Sequence, residues 1–413
     1  LEFHVAHDPE APTPSHFRCT GHLTRGRLED SRLPRPLTEI GGLFVATEEG
    51  VTMERLAARC GRATLQFSGR RNGYEERSPV TLKGEVRELE LDQELIDALP
   101  ESLRSQWHRF LPTGQVNADV TFSYDGQTWR PELSVQCDNV AFTYDKFPYR
   151  LQNGQGTLEL RDDVFTANLT AYAASQPVRI RLRMLQPLSV PHGWVEAKGD
   201  NIPVDDKFLD AIPGKAHAVI RAMDPRGSVN FFARAWRDNP DEPFHRHALV
   251  GLNRVAIRYE KFPYQISNIR GTLEMSEGDW EFRDLEGFHG PGRLSGGGSL
   301  VAASDGSHLS LHLTGKGIPL EAELRDALKP GMQQIWNNVQ PQGIVDLGVD
   351  ISYLSGDDRF AINLRAEPRS ESTSIKPNYF PYRLENLHGV LTYRDGHVTL
   401  ERLRGEHGNT RVS

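Results

Sequence analysis

The stretch Val140-Ala141-Phe142-Thr143-Tyr144-Asp145-Lys146-Phe147-Pro148-Tyr149 returns as Val255-Ala256-Ile257-Arg258-Tyr259-Glu260-Lys261-Phe262-Pro263-Tyr264. Each copy runs on through an asparagine, Asn153 or Asn268, to Gly156-Thr157-Leu158-Glu159 or Gly271-Thr272-Leu273-Glu274. A third copy reads Tyr379-Phe380-Pro381-Tyr382 and continues to Asn386 and Gly389, and a worn copy is Leu33-Pro34 leading to Gly41-Gly42-Leu43. The prolines fall at 34, 148, 263 and 381, so the steps are 114, 115 and 118 residues. Self-similarity at a fixed period is the mark of a repeat architecture.

Other landmarks keep the same phase, so the whole unit repeats and not one motif. Asp97-Ala98-Leu99, Asp210-Ala211-Ile212 and Asp326-Ala327-Leu328 recur, as do Pro112-Thr113-Gly114, Pro225-Arg226-Gly227 and Pro341-Gln342-Gly343. Gly61, Gly290 and Gly408 share a phase in which Ser175 replaces the glycine of the remaining copy. The chain divides on this basis into a partial repeat over 1–32, repeats over 33–146, 147–261 and 262–379, and a partial repeat over 380–413. Both ends are expected to fall inside a unit.

Within a unit the apolar residues alternate strictly, the period of a strand with one apolar and one wet face. Val116, Val120 and Phe122 mark one such strand, and Val229 and Phe231 its counterpart in the next unit. Val178, Ile180 and Leu182 alternate with Arg179, Arg181 and Arg183. Leu309, Leu311 and Leu313 form a third series, flanked by His308 and His312 on the other face. Val345, Leu347, Val349 and Ile351 form a fourth, and Ile362 and Leu364 follow on the next strand. These seventeen residues are the candidate lining of an apolar groove.

One helical segment per unit interrupts the strands. Leu320, Leu324, Ala327 and Leu328 follow an amphipathic stripe, broken at Pro330-Gly331 before Met332, Ile335 and Trp336 resume it. Val204, Phe208, Ala211 and Ile212 precede an equivalent break at Pro213-Gly214, and Pro203 and Pro319 are placed at helix starts. A unit of this length holds about six to eight strands, which a single short kinked helix cannot cover. The expectation is a mainly β fold: an elongated, curled antiparallel sheet, a U-shaped groove built from repeats of about 115 residues. Separately packed β domains with binding in their surface loops are the alternative.

The β-rich units, the alternating strands, the Pro-x-Gly-x-Val strand start and the short helix together resemble the AsmA-like family, over essentially all of the chain. The resemblance implies a long β-groove with an apolar interior that moves phospholipid or other acyl-chain lipids between the membranes of a diderm bacterium. It implies a place in the periplasm or cell envelope and a part in outer-membrane biogenesis. The implied partners are lipid, the remainder of a longer chain and membrane-anchored envelope proteins. The Phe-Pro-Tyr element is not a general mark of that family and suggests a distinct branch.

Charge and motifs weigh against other classes. The formal net charge is −8, from 56 acidic and 48 basic residues, without a basic block interleaved with aromatics, so nucleic acid is not an expected partner. Cys19, Cys60 and Cys137 stand in no CxxC spacing and read as small apolar residues. His245 and His247 share one side of a strand but read as solvated histidines without a completing acid. Gly290-Pro291-Gly292 reads as a turn, and Asp162-Asp163, Asp205-Asp206 and Asp357-Asp358 as turn or helix-start residues. The reading is therefore of a non-enzyme, with no catalytic residue, cofactor or metal.

Overall fold

The computed structural model describes residues 1–7, 15–30, 33–303, 306–355, 359–380, 382–394 and 396–413. Asp357, Asp358 and Pro381 lie outside the described residues. Among these residues the fold is mainly β, an antiparallel sheet of 23 strands that is not closed into a barrel, with a few short helices.

The strands before the first full repeat are β1 (Glu2–His7) and β2 (Ser15–Leu28). Then follow β3 (Leu37–Thr47), β4 (Gly50–Cys60), β5 (Ala63–Asn72) and β6 (Val80–Glu90), the helices α1 (Gln93–Ala98) and α2 (Glu101–Phe110), and β7 (Thr113–Tyr124) and β8 (Trp129–Tyr144). The order of four strands, two helices and two strands returns as β9 (Phe147–Arg161), β10 (Val164–Ala173), β11 (Gln176–Leu185), β12 (His192–Pro203), α3 (Asp206–Ala211), α4 (Gly214–Ala222), β13 (Arg226–Arg237) and β14 (His245–Tyr259). It returns again as β15 (Phe262–Ser276), β16 (Asp279–His289), β17 (Gly292–Ala303), β18 (Gly306–Pro319), α5 (Ala322–Ala327), α6 (Pro330–Val339), β19 (Ile344–Leu354) and β20 (Arg359–Pro368). The chain closes with β21 (Glu385–Arg394), β22 (His397–His407) and β23 (Thr410–Val412).

By its internal contacts the chain forms two units. In the first, consecutive strands from β1 to β11 pair as antiparallel neighbours. In the second, β14 to β23 do the same.

The repeated asparagine and glycine have a backbone reason. Asn153, Asn268 and Asn386, with Glu39 in the worn copy, all take φ between 51° and 54°, and the pairing registers slip close to them. Asparagine tolerates this left-handed conformation better than most residues, and the bulge it makes bends the strand and increases its twist. Three residues on, Gly156 has φ 138°, and a Cβ there would stand 2.0 Å from the Asn168 carbonyl oxygen. Only glycine fits.

Three sequence expectations are corrected. The kink in each helical segment is a complete break, because Pro100, Pro213 and Pro330 each open a second helix instead of bending one. Pro203 and Pro319 end strands β12 and β18, and Asp205 and Glu321 occupy the N-cap positions. The residue matching Gly61 and Gly290 is Ala174, at φ 53°, and not Ser175, since β10 is one residue shorter than β16.

Candidate functional site

Residues directly opposite one another in an antiparallel sheet project from the same face, so the pairing registers reveal which side chains line up. In the first unit Val120 stands across from Gly84 on one side and Leu133 on the other. The row extends to Phe67 and Leu56, and through Leu160 and Phe165 to Met184. A second row runs through Ala58, Leu65, Val86, Ala118, Val135, Leu158, Ala167 and Leu182. Val116 joins Ile180 through Cys137, Gly156 and Leu169, Val178 faces Ala171, and Phe122 faces Leu82 and Pro131. The candidate residues of β7 and β11, far apart in sequence, thus lie on one apolar face.

The second unit repeats the arrangement. Leu311, Ile351 and Ile362 stand in one row with Val250, Leu273, Phe282 and Gly298. Leu313, Val349 and Leu364 form the next, between Gly296 and Tyr393. Leu309 lines up with Leu300 and Tyr353, and Leu347 with Gly315 and Ala366. Val345 faces Ile318 and Pro368. Val229 and Phe231 lie on β13, where a Cβ on Gly199 would meet the Phe231 ring.

Burial along these rows is graded. On β7 Val116 is buried, Val120 is half-buried and Phe122 is 42% exposed. On β11 Val178 is buried, while Ile180 and Leu182 are half-buried. On β18 Ile318 is fully buried, but Leu313, Leu311 and Leu309 are half-buried. Val345, Leu347, Val349, Ile351, Ile362 and Leu364 are all half-buried, and Phe360 is 61% exposed. The buried ends are those next to the helices, where Ile96, Leu209, Ala211 and Ala327 pack inward. The helices close one end of the apolar face and leave the rest of each row accessible.

The total accessible surface is 25956 Å² for 46.5 kDa. A compact protein of that mass would expose about 16,000 Å², and two separate compact halves about 19,000 Å². The excess agrees with the partial exposure of the apolar rows among the described residues.

The second helix of each pair buries little. Leu103 and Phe110 on α2, Val219 on α4 and Ile335 on α6 are exposed, although Phe110 stacks on Tyr144 at 5.5 Å between ring centroids. The Phe-Pro-Tyr elements open β9 and β15, with Tyr149 and Tyr264 buried and Tyr382 exposed. Tyr264 packs on His289 of its own repeat.

Polar clusters lie off the apolar rows. His308 and His312 face Ser352 and Asp350 on the wet side, at 3.1 and 2.7 Å. His245 and His247 are each met by an acid, Glu277 at 3.0 Å and Glu274 at 2.8 Å, which spacing alone did not reveal. Cys60 and Cys137 are buried, and burial pushes the Cys137 thiol up to about 11, so it stays protonated and inert.

His289, Glu321 and Glu323 form a cluster that sequence reading missed. Its one legible signal is phase: His289 precedes Gly290 as Cys60 precedes Gly61, and Glu321 matches Asp92 and Asp205. Burial, with the Glu321 and Glu323 charges adding to it, raises the Tyr264 phenol beside this cluster above its ordinary range. Among the described residues no helix is long and apolar enough to cross a membrane. Comparison with family models, curated proteins and solved structures gave no match for this chain.

Proposed function

We propose that the chain is a non-catalytic hydrophobic conduit, which holds the acyl chains of phospholipid or related lipids on its apolar sheet face. What carries this reading is the continuity of half-exposed apolar rows, eight strands wide from β4 to β11 and seven from β14 to β20. Eight strands span about 34 Å at the usual interstrand spacing. The acyl region of one leaflet is only about 15 Å deep, half of a ~30 Å hydrocarbon core.

Each methylene removed from water contributes about 0.8 kcal/mol, so a sixteen-carbon chain gains on the order of 10 kcal/mol before ordering costs. These contacts are non-directional and repeat along the sheet, so a lipid can shift from row to row without losing a unique anchor. Separately closed β domains would need the same rows buried to core levels, and their partial exposure argues against that rival. The resemblance to the AsmA-like family adds the setting: the periplasm or envelope of a diderm bacterium. The partners are then the rest of a longer chain and membrane-anchored envelope proteins.

Native mass spectrometry of the purified chain tests the proposal. The expected result is co-purified acyl lipid, several copies per chain, released by detergent. A lipid-free spectrum, together with failure to bind a fluorescent phospholipid added in vesicles, would overturn it.

A further inference from the structure

His289 ends β16 with its ring held at both nitrogens. Nδ1 lies 2.6 Å from the Gln265 carbonyl oxygen, an acceptor that only a proton on Nδ1 can satisfy. In the neutral ring Nε2 therefore carries the lone pair. That nitrogen faces Glu321 Oε1 at 2.9 Å and Glu323 Oε2 at 3.3 Å. All three ligand atoms lie within 4.8 Å of one another. A lone pair and two carboxylates that converge require a positive charge between them.

Two observations separate this cluster from an ordinary group of acids. At the equivalent helix starts, Asp92 and Asp205 accept hydrogen bonds from the Leu95 and Phe208 amides, at 3.0 and 2.8 Å. Glu321 makes no such cap and turns to His289 instead, giving up a contact that stabilises a helix start. Tyr264, 5% exposed, lies face to face with the His289 ring at 3.8 Å, and its Oη is buried without a hydrogen-bond partner among the described residues. A buried phenol of this kind calls for a partner that the protein atoms do not supply.

The first repeat shows the other way to satisfy the same geometry. There Asp92 and Glu94, in phase with Glu321 and Glu323, are closed by the guanidinium of Arg35, whose Nη2 stands 2.6 Å from Asp92. In the third repeat an imidazole takes the place of that fixed charge.

We propose that His289, Glu321 and Glu323 bind a divalent first-row transition cation of the Zn2+ type. One imidazole nitrogen and two carboxylate oxygens are a donor set that such an ion takes. The Gln265 carbonyl orients the imidazole from behind, as outer-shell partners of ligating histidines do. Tyr264 offers its hydroxyl to a water on the ion. The ion ties the end of β16 to the start of α5 and so fixes the helix pair that closes one end of the apolar face.

The test titrates the chelator-treated full chain with ZnCl2 by calorimetry and with CoCl2 by visible absorption. The wild type should show one strong site per chain and a higher melting midpoint with Zn2+. His289→Arg, which imitates the Arg35 arrangement, should fold with an unchanged circular-dichroism spectrum, lose the strong site and show no Zn2+ effect on melting. Tyr264→Phe should weaken binding by about tenfold. Absence of a strong site in the wild type, or a site of undiminished strength in His289→Arg, would overturn the proposal.

Discussion

A single charge on an apolar row distinguishes an open face from a packed core. Val349 is half-buried between Leu313 and Leu364, so a carboxylate there can hydrate when the face is empty but must be desolvated when an acyl chain lies over it. Val349→Asp is expected to cost about 1–2 kcal/mol of stability or less, while phospholipid binding falls at least tenfold. Thermal melting read beside fluorescent-lipid binding checks this, and collapse of the fold would mean that the position is a true core. The side on which Val349 projects was legible from alternation alone, because period two in a one-sided sheet leaves no other choice. Its neighbours were not legible. The register in which consecutive strands pair shifts at bulges at residues such as Asn268 and Asp284, whose φ values of 54° and 51° leave only a weak trace in composition.

At the scale of the element, the two helices of a pair are not alike. The first carries the buried residues, Leu209 at 2% exposure being the clearest case, and the second is amphipathic yet leaves Ile335 50% exposed. Leu209→Ala is expected to destabilise by about 2–5 kcal/mol, and Ile335→Ala by no more than about 0.5 kcal/mol. Urea unfolding midpoints of the two variants would show this, and equal losses would contradict the assignment of the closing role to the first helix. The helical stripe and its interruption were readable in Leu320, Leu324, Ala327 and Leu328 and the proline that follows, but whether that proline kinks one helix or opens a second was not. Proline at a first helical turn and proline at a kink have the same sequence signature, and the extended backbone of Leu99, Ile212 and Leu328 decides between them. The acid and histidine cluster was hidden for a related reason: His289 and Glu321 are 32 residues apart and meet only because β17 and β18 return the chain to the same end of the sheet.

At the scale of the whole molecule, the recurrence of one element order builds an apolar face in each of the two units. The repeat, the β class and the one-sided strands were all present in the spacing of prolines and the alternation of apolar residues. The width of the rows was not, since it follows from the registers in which consecutive strands pair. The central claim is that the apolar face carries lipid, and it makes a period-two prediction along any one strand. Photo-crosslinking residues placed singly at positions 348 to 353, in cells that produce the protein, test it most directly. Lipid adducts should form at 349, 351 and 353, where Val349, Ile351 and Tyr353 lie on the apolar rows, and should be absent at 348, 350 and 352. Adducts that ignore this alternation, or none at the three apolar positions, would contradict the account.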